Sequence, residues 1–176
     1  MKRLGHLAII AHDMGLIFEF LALITLVPFL VLLVFQEWDM IIPMGSVPMV
    51  FVILGFLISK VPGKATTPSL SVALVAVSLT WLAIAVVGAL PFIIALKISW
   101  TDAIFEAMSG WTGTGFTVMK SLDTMPRTLI FWRSFMQWIG GMGVIAFGIA
   151  MLSHSGLSQS RLYRSEGRSE ALMPSV

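Results

Sequence analysis

The run Ser109-Gly110-Trp111-Thr112-Gly113-Thr114-Gly115-Phe116-Thr117-Val118 sets hydroxyls and glycines between two long apolar stretches, directly after a short polar helix candidate. Irregular backbone at membrane depth is tolerated only where protein or a water-filled cavity covers it. In that setting a row of carbonyl and hydroxyl oxygens can replace the hydration shell of an alkali cation. Thr112, Gly113, Thr114 and Gly115 are the candidate ligands. Glycine reaches backbone angles closed to other residues, and threonine adds a hydroxyl acceptor without adding charge. A neutral oxygen cage suits a monovalent ion that must also leave, whereas carboxylates bind more tightly and favour divalent cations.

Such a segment needs a stop in the membrane middle, and the residues before it supply one. Ser99-Trp100-Thr101-Asp102 reads as a helix start close to a capping box. A helix over Thr101–Trp111 spans about 16 Å at about 1.5 Å per residue, half of a bilayer core of roughly 30 Å. Its C-terminal end carries partial negative charge and favours a cation placed just beyond it. Asp102 and Glu106 share a face. They either raise the cation concentration at the mouth, or Asp102 completes the helix start while Glu106 pairs with a neighbouring helix. The blander reading of the whole segment is a loose Gly/Thr loop after an interfacial helix.

The chain of 176 residues is 57% hydrophobic and 11% charged, with a mean hydropathy of +0.95. A soluble domain carries about twice that charge. Four apolar blocks reach the roughly 20 residues a span requires: Met14–Phe35, Met40–Ser59, Leu70–Ala95 and Thr128–Leu152. The expected fold is an all-α membrane protein of four transmembrane helices, with one re-entrant pore helix and filter loop between the third and fourth. With the N-terminus inside, Lys2, Arg3, Lys60, Lys64, Arg161, Arg164 and Arg168 are cytoplasmic, and only Lys97, Lys120 and Arg127 fall outside. Both termini are then cytoplasmic, the filter loop faces outside, and Trp38, Trp100 and Trp132 lie near the outer interface. The charged stretch Arg161–Arg168 reads as a solvated loop, or as a docking surface for a soluble partner or anionic lipid.

Arg133 falls inside the fourth block, where a charge is functional by default. It holds a pore-loop carbonyl, pairs with Glu106, or snorkels to the interface. Glu19 bonds a neighbouring helix or faces the cytoplasmic interface. Gly55, Gly88, Gly140, Gly141, Gly143 and Gly148 let helices approach closely, and Pro28 and Pro91 kink or end helices. His6, His12 and His154 are too scattered for a metal site, and there is no cysteine. Ser109-Gly110 invites comparison with an intramembrane serine enzyme. No general base stands near it, and the glycine expected two residues before the serine is missing. No catalytic or cofactor-binding residue is assigned, and no nucleic-acid partner.

The run Asp102-Ala103-Ile104-Phe105-Glu106-Ala107-Met108-Ser109-Gly110-Trp111-Thr112-Gly113-Thr114-Gly115 resembles the first pore loop of Trk/Ktr-type potassium uptake proteins, above all the TrkH branch. Phe131-Trp132-Arg133-Ser134-Phe135-Met136-Gln137-Trp138-Ile139-Gly140-Gly141-Met142-Gly143 is similar to the helix after that loop, and Leu162-Tyr163-Arg164-Ser165-Glu166 to the linker that follows. The resemblance implies repeated helix–pore loop–helix units, four around one ion path, preceded by an extra helix pair. It places the potassium filter on Thr112, Gly113, Thr114 and Gly115, with Gly113 and Thr114 nearest the ion, and gives Arg133 and Glu106 a supporting role. The resemblance implies threonine in many relatives at the position of Gly113 and a small residue at that of Phe116.

The implied organisation is 1–64 as the N-terminal helix pair, 65–158 as the helix–pore loop–helix repeat and 159–176 as a cytoplasmic linker. One filter segment is one quarter of a pore. The chain is therefore expected to be a fragment of a four-repeat potassium uptake protein. The alternatives are a single-repeat homotetrameric cation channel and a non-transporting membrane assembly protein. The resemblance further implies the bacterial inner membrane and a potassium ion as transported ligand, with no cofactor. Its implied partners are membrane lipid, a peripheral nucleotide-binding regulatory subunit, and a homodimer or other oligomer.

Overall fold

The computed structural model describes residues 2–60 and 70–154. Lys64, the 159–176 linker and the charged stretch Arg161–Arg168 lie outside the described residues. The elements in order are α1 (Lys2–Ile24), α2 (Pro28–Phe35), a 3-10 turn (Trp38–Met40), α3 (Ile41–Ser59), α4 (Leu70–Leu96), α5 (Trp100–Trp111) and α6 (Arg127–His154). No strand occurs among the described residues. The chain divides into two compact units, Met1–Gly141 and Met142–Val176. Of the second, the described part is the end of α6, where Val144, Ile145 and Ile149 are exposed. All that follows concerns the first.

Met14–Phe35, Trp38–Ser59 and Ala73–Leu96 are long and apolar enough to cross a membrane. Their outward faces carry Phe20, Leu23, Val34 and Ile42, each more than 60% exposed. An apolar belt of that extent is not displayed to water by a soluble monomer. Helix α6 has 28 residues, with Arg127, Arg133, Ser134 and Gln137 in its first half.

The first apolar block is two helices rather than one. Pro28 has no N–H to give the Ile24 carbonyl and its ring crowds that oxygen. The chain tightens instead into shorter bonds, Leu26 N–H to Leu23 O at 3.2 Å and Val27 N–H to Ile24 O at 3.0 Å. Pro28 then sits at the start of α2, where its missing donor costs nothing. Pro91, by contrast, lies inside α4, which continues to Leu96. The helix closes at Lys97, whose φ of 53° is left-handed and whose N–H reaches Ile93 O at 3.0 Å.

Helices α1 and α3 meet across two glycines. A Cβ on Gly15 would come within 2.7 Å of Ser59 N, and one on Gly55 within 2.8 Å of the Glu19 Cγ. A turn further along α3, Phe18 stacks on Phe51 at 5.7 Å. Glu19 itself is exposed, its stem covering Gly55.

One loop residue ties this helix pair to α6. The Glu37 carboxylate accepts the N–H of Arg127 at 2.7 Å and of Thr128 at 2.8 Å, two donors that a helix start otherwise leaves unpaired. Partial burial pushes the Glu37 carboxyl up, but the hydrogen bonds from Thr128 and Arg127 and the Arg127 charge outweigh it and hold it below the ordinary glutamate value. A lowered pKa contributes stability that is complete above the unfolded value and is lost as pH falls through the folded one. Hydrogen exchange at the Arg127 and Thr128 amides, corrected for intrinsic rates, is therefore expected to stay slow from neutral pH down to the ordinary glutamate range and to accelerate only below it.

Candidate functional site

Helix α5 is built to end inside the protein. Ser99 caps it by accepting the Asp102 N–H at 3.1 Å, which supplies the hydroxyl half of the expected capping box. Ala103, Glu106, Ala107 and Gly110 are buried, a spacing that aligns them on one inward stripe. Asp102 is exposed at the helix start. Small residues on that stripe let neighbours come close. A Cβ on Gly110 would lie 3.0 Å from the Met136 Cε, and one on Gly88 2.5 Å from the Trp111 Nε1.

The loop after α5 wraps back over the helix end. Thr112 N–H reaches Met108 O at 2.9 Å and Gly113 N–H reaches Gly110 O at 3.0 Å. The hydroxyl of Thr112 also donates to Met108 O, at 2.8 Å, and that of Thr114 to Ser109 O, at 3.3 Å. The last carbonyls of the helix are thus largely satisfied by the loop itself. Gly113 and Gly115 have φ of 72° and 75°, while Thr112 between helix and loop has φ of −82°. Thr114 is not among the positive-φ residues, so the sign of φ alternates from Thr112 to Gly115. Residues 112–118 are all exposed in this chain.

Behind the loop lies a buried ion pair. Glu106 is 0% exposed and its carboxylate meets Arg133 Nε at 2.8 Å. It also accepts the Thr117 hydroxyl at 2.5 Å and the Val118 N–H at 2.6 Å. The Arg133 guanidinium donates onward to Phe116 O at 3.3 Å and, at the long limit of 3.5 Å, to Gly115 O. Ser109 Oγ donates to Phe116 O at 2.6 Å. Among the described residues, none donates a hydrogen bond to the carbonyls of Thr112, Gly113 or Thr114. The arrangement holds the returning strand of the loop from behind and leaves the three preceding carbonyls free for another partner.

Of the two readings of Glu106, its burial against Arg133 leaves the pairing one; a fully buried carboxylate is not part of an exposed mouth. Both inward contacts considered for Arg133 are present, and the guanidinium is buried rather than snorkelling. The three indoles expected near the outer interface differ in their surroundings. Trp38 and Trp100 are 56% and 57% exposed, but Trp132 is 1% exposed. It lies on the inward stripe of α6 with Leu129, Arg133 and Met136, donates its indole N–H to Gly88 O at 3.1 Å, and packs edge-on against Trp111 at 6.0 Å. Gly140 continues that stripe and lies against the Trp111 carbonyl, while a Cβ on Gly141 would meet nothing within 4 Å.

Residue-by-residue reading missed Glu37, Ser109 and Thr117 as structural contributors. The two hydroxyls carried a signal, since they flank the Thr/Gly run. Glu37 carried none, because its partners are 90 and 91 residues away. Among the described residues no group of three or more His, Asp or Glu gathers to hold a metal.

A family model described as a cation transport protein, TrkH, matches residues 45–175. The chain is 36% identical to an uncharacterized cation transporter of Methanocaldococcus jannaschii over 95% of its own length and 35% of that protein's. It is 46% identical to the Trk system potassium uptake protein TrkH of Vibrio parahaemolyticus, over 51% of this chain and 19% of that one. The crystal structure of the potassium transporter TrkH from Vibrio parahaemolyticus superposes with a TM-score of 0.76 at 32% identity, covering 86% of this chain and 32% of that one. The chain thus spans about a third or less of the length of these relatives.

Proposed function

Since this chain belongs to the TrkH family of cation transport proteins, we propose that it forms the first pore repeat of a potassium uptake protein and supplies one wall of its selectivity filter. In this reading α4, α5, the loop and α6 are the helix–pore loop–helix unit over 65–158, with α6 as a fourth span. Residues 1–64 are the preceding helix pair and 159–176 a cytoplasmic linker. Carbonyls from Thr112 to Gly115 replace water around a potassium ion, with Gly113 and Thr114 closest. Arg133 and Glu106 hold the loop without touching the ion. The ion is cargo, and the chemistry is dehydration and passage, not catalysis.

The observation that carries this is the alternating sign of φ over Thr112–Gly115 at the end of a short capped helix. Alternating hand lets successive carbonyls turn toward one side, and only glycine takes the positive positions without strain. The potassium uptake proteins among its relatives support the choice of ion. The same reading places the protein in the bacterial inner membrane with both termini cytoplasmic. Its partners are further pore repeats, an oligomeric copy and a peripheral nucleotide-binding subunit.

The test is flux of potassium and sodium into liposomes carrying the whole protein. Alanine at Gly113 or Gly115 must hold a left-handed backbone at a cost of about 1–2 kcal/mol. Each substitution is expected to lower the potassium-to-sodium flux ratio about tenfold. Gly141→Ala, in open space, leaves the ratio unchanged. Equal ratios in all four proteins rule out this loop as the filter.

A further inference from the structure

We propose that Glu37, in the loop between the first two apolar segments, is a positioning residue for the filter, acting through the axial placement of α6 and so through Arg133. The inference rests on the filter reading above. Helix α5 carries its own cap in Ser99. Helix α6 follows Pro126, whose carbonyl serves Leu129 and Ile130 at 3.0 and 3.1 Å but whose ring offers no acceptor to the first amides. Those amides go to a carboxylate 90 residues earlier. A local cap fixes a helix end to its own loop, whereas a remote one fixes it to another element.

Glu37 is itself held at both backbone ends. Its N–H reaches Leu32 O at 3.1 Å and its carbonyl accepts the Met40 N–H at 2.9 Å. Leu32 and Met40 are 1% and 8% exposed, so the loop is pinned in the core of the helix pair. An anion at a helix start is favoured by the helix dipole as well as by the two amides.

The consequence lies further along the same helix. Arg133 is about 9 Å down the axis from Arg127. Its bonds to Glu106 and Phe116 are 2.8 and 3.3 Å long. An axial slip of one residue, about 1.5 Å, is large against the roughly 0.5 Å range of ordinary hydrogen-bond lengths and would stretch or misalign both. Holding the start of α6 therefore holds the guanidinium at the height of the loop. The extra helix pair, which contributes no filter residue, acquires in this way a part in selectivity.

The experiment compares potassium-to-sodium flux ratios, per reconstituted molecule of the whole protein, for native, Glu37→Gln, Glu37→Asp, Arg133→Lys and the Glu37→Gln/Arg133→Lys double variant. Glutamine accepts one amide and turns an N–H toward the other. It is expected to lower the ratio about fivefold, the size of one lost hydrogen bond. Aspartate, shorter by one methylene, falls between. The double variant is expected to match Arg133→Lys alone, because both changes act on the same contact. A ratio for Glu37→Gln within about twofold of native, or effects that multiply in the double variant, overturns the proposal. A merely structural Glu37 lowers yield without moving the ratio. If Glu37→Gln yields no folded protein, Glu37→Asp is read by hydrogen exchange at the Val118 amide: faster exchange supports the proposal and unchanged exchange overturns it. A native protein that does not distinguish potassium from sodium would sink the filter reading instead, and the Val118 exchange still decides whether Glu37 places α6.

Discussion

Arg133→Met is expected to destabilise the folded protein by about 3–5 kcal/mol, because it leaves the Glu106 carboxylate buried without its countercharge. Glu106 is fully enclosed, and the Thr117 and Val118 donors alone remain to it. Methionine preserves the apolar stem and isolates the charge. The melting temperature in mild detergent is expected to fall on the order of 10 °C. Adding Glu106→Gln to Arg133→Met removes the stranded charge and is expected to recover more than half of that loss. Selectivity is not expected to recover, since the Phe116 carbonyl still lacks its guanidinium partner. Stability and ion discrimination thus separate in the double variant. A single Arg133→Met protein that melts within about 2 °C of native would show the pair to be dispensable and its burial inconsequential.

Gly140→Ala is expected to be damaging too, by a smaller amount and for a steric reason. The added Cβ would lie on the Trp111 carbonyl, with the Trp111 carbonyl carbon at 2.6 Å and its Cα at 3.0 Å. A side chain in that position could rotate away, but the end of a hydrogen-bonded helix cannot. Either α6 moves off or the last turn of α5 moves, and the loop is attached to that turn through Thr112 and Gly113. The expected loss is about 1–3 kcal/mol, with a reduced potassium-to-sodium ratio in whatever folds. Gly141→Ala is the internal control, one residue on in the same helix with nothing within 4 Å. Equal stability and flux for the two alanine variants would contradict the close crossing of α5 and α6.

Several features were readable from the residues in order. The apolar runs give the three membrane-capable stretches among the described residues because length and hydropathy are properties of consecutive residues. The Ser99 cap and the end of α5 near Trp111 follow from local bonding between residues a few positions apart. The need for glycine at 113 and 115 is likewise local, since it concerns one residue's φ. Even the Glu106–Arg133 pair was among the readings left open, because opposite charges in apolar segments have few alternatives to each other. The break at Thr25–Val27 was half visible, as a proline that would kink or end a helix, but its shorter bonds were not.

Other features had no local signature. Trp132 has the residue type and chain position of an interface anchor, and only the packing of Trp111 and Gly88 around it buries it. Glu37 reads as an ordinary loop acid until the start of α6 arrives beside it. Whether Glu106 sits in a mouth or in the core depended on which face of α5 meets α6, a choice that a short helix with Asp102 and Glu106 on adjacent turns does not declare. The order of residues decides helix lengths, caps and backbone hand because those energies are set within a few peptide units. Tertiary structure decides which polar groups are paired, because the low dielectric that makes pairing obligatory exists only after the helices have packed.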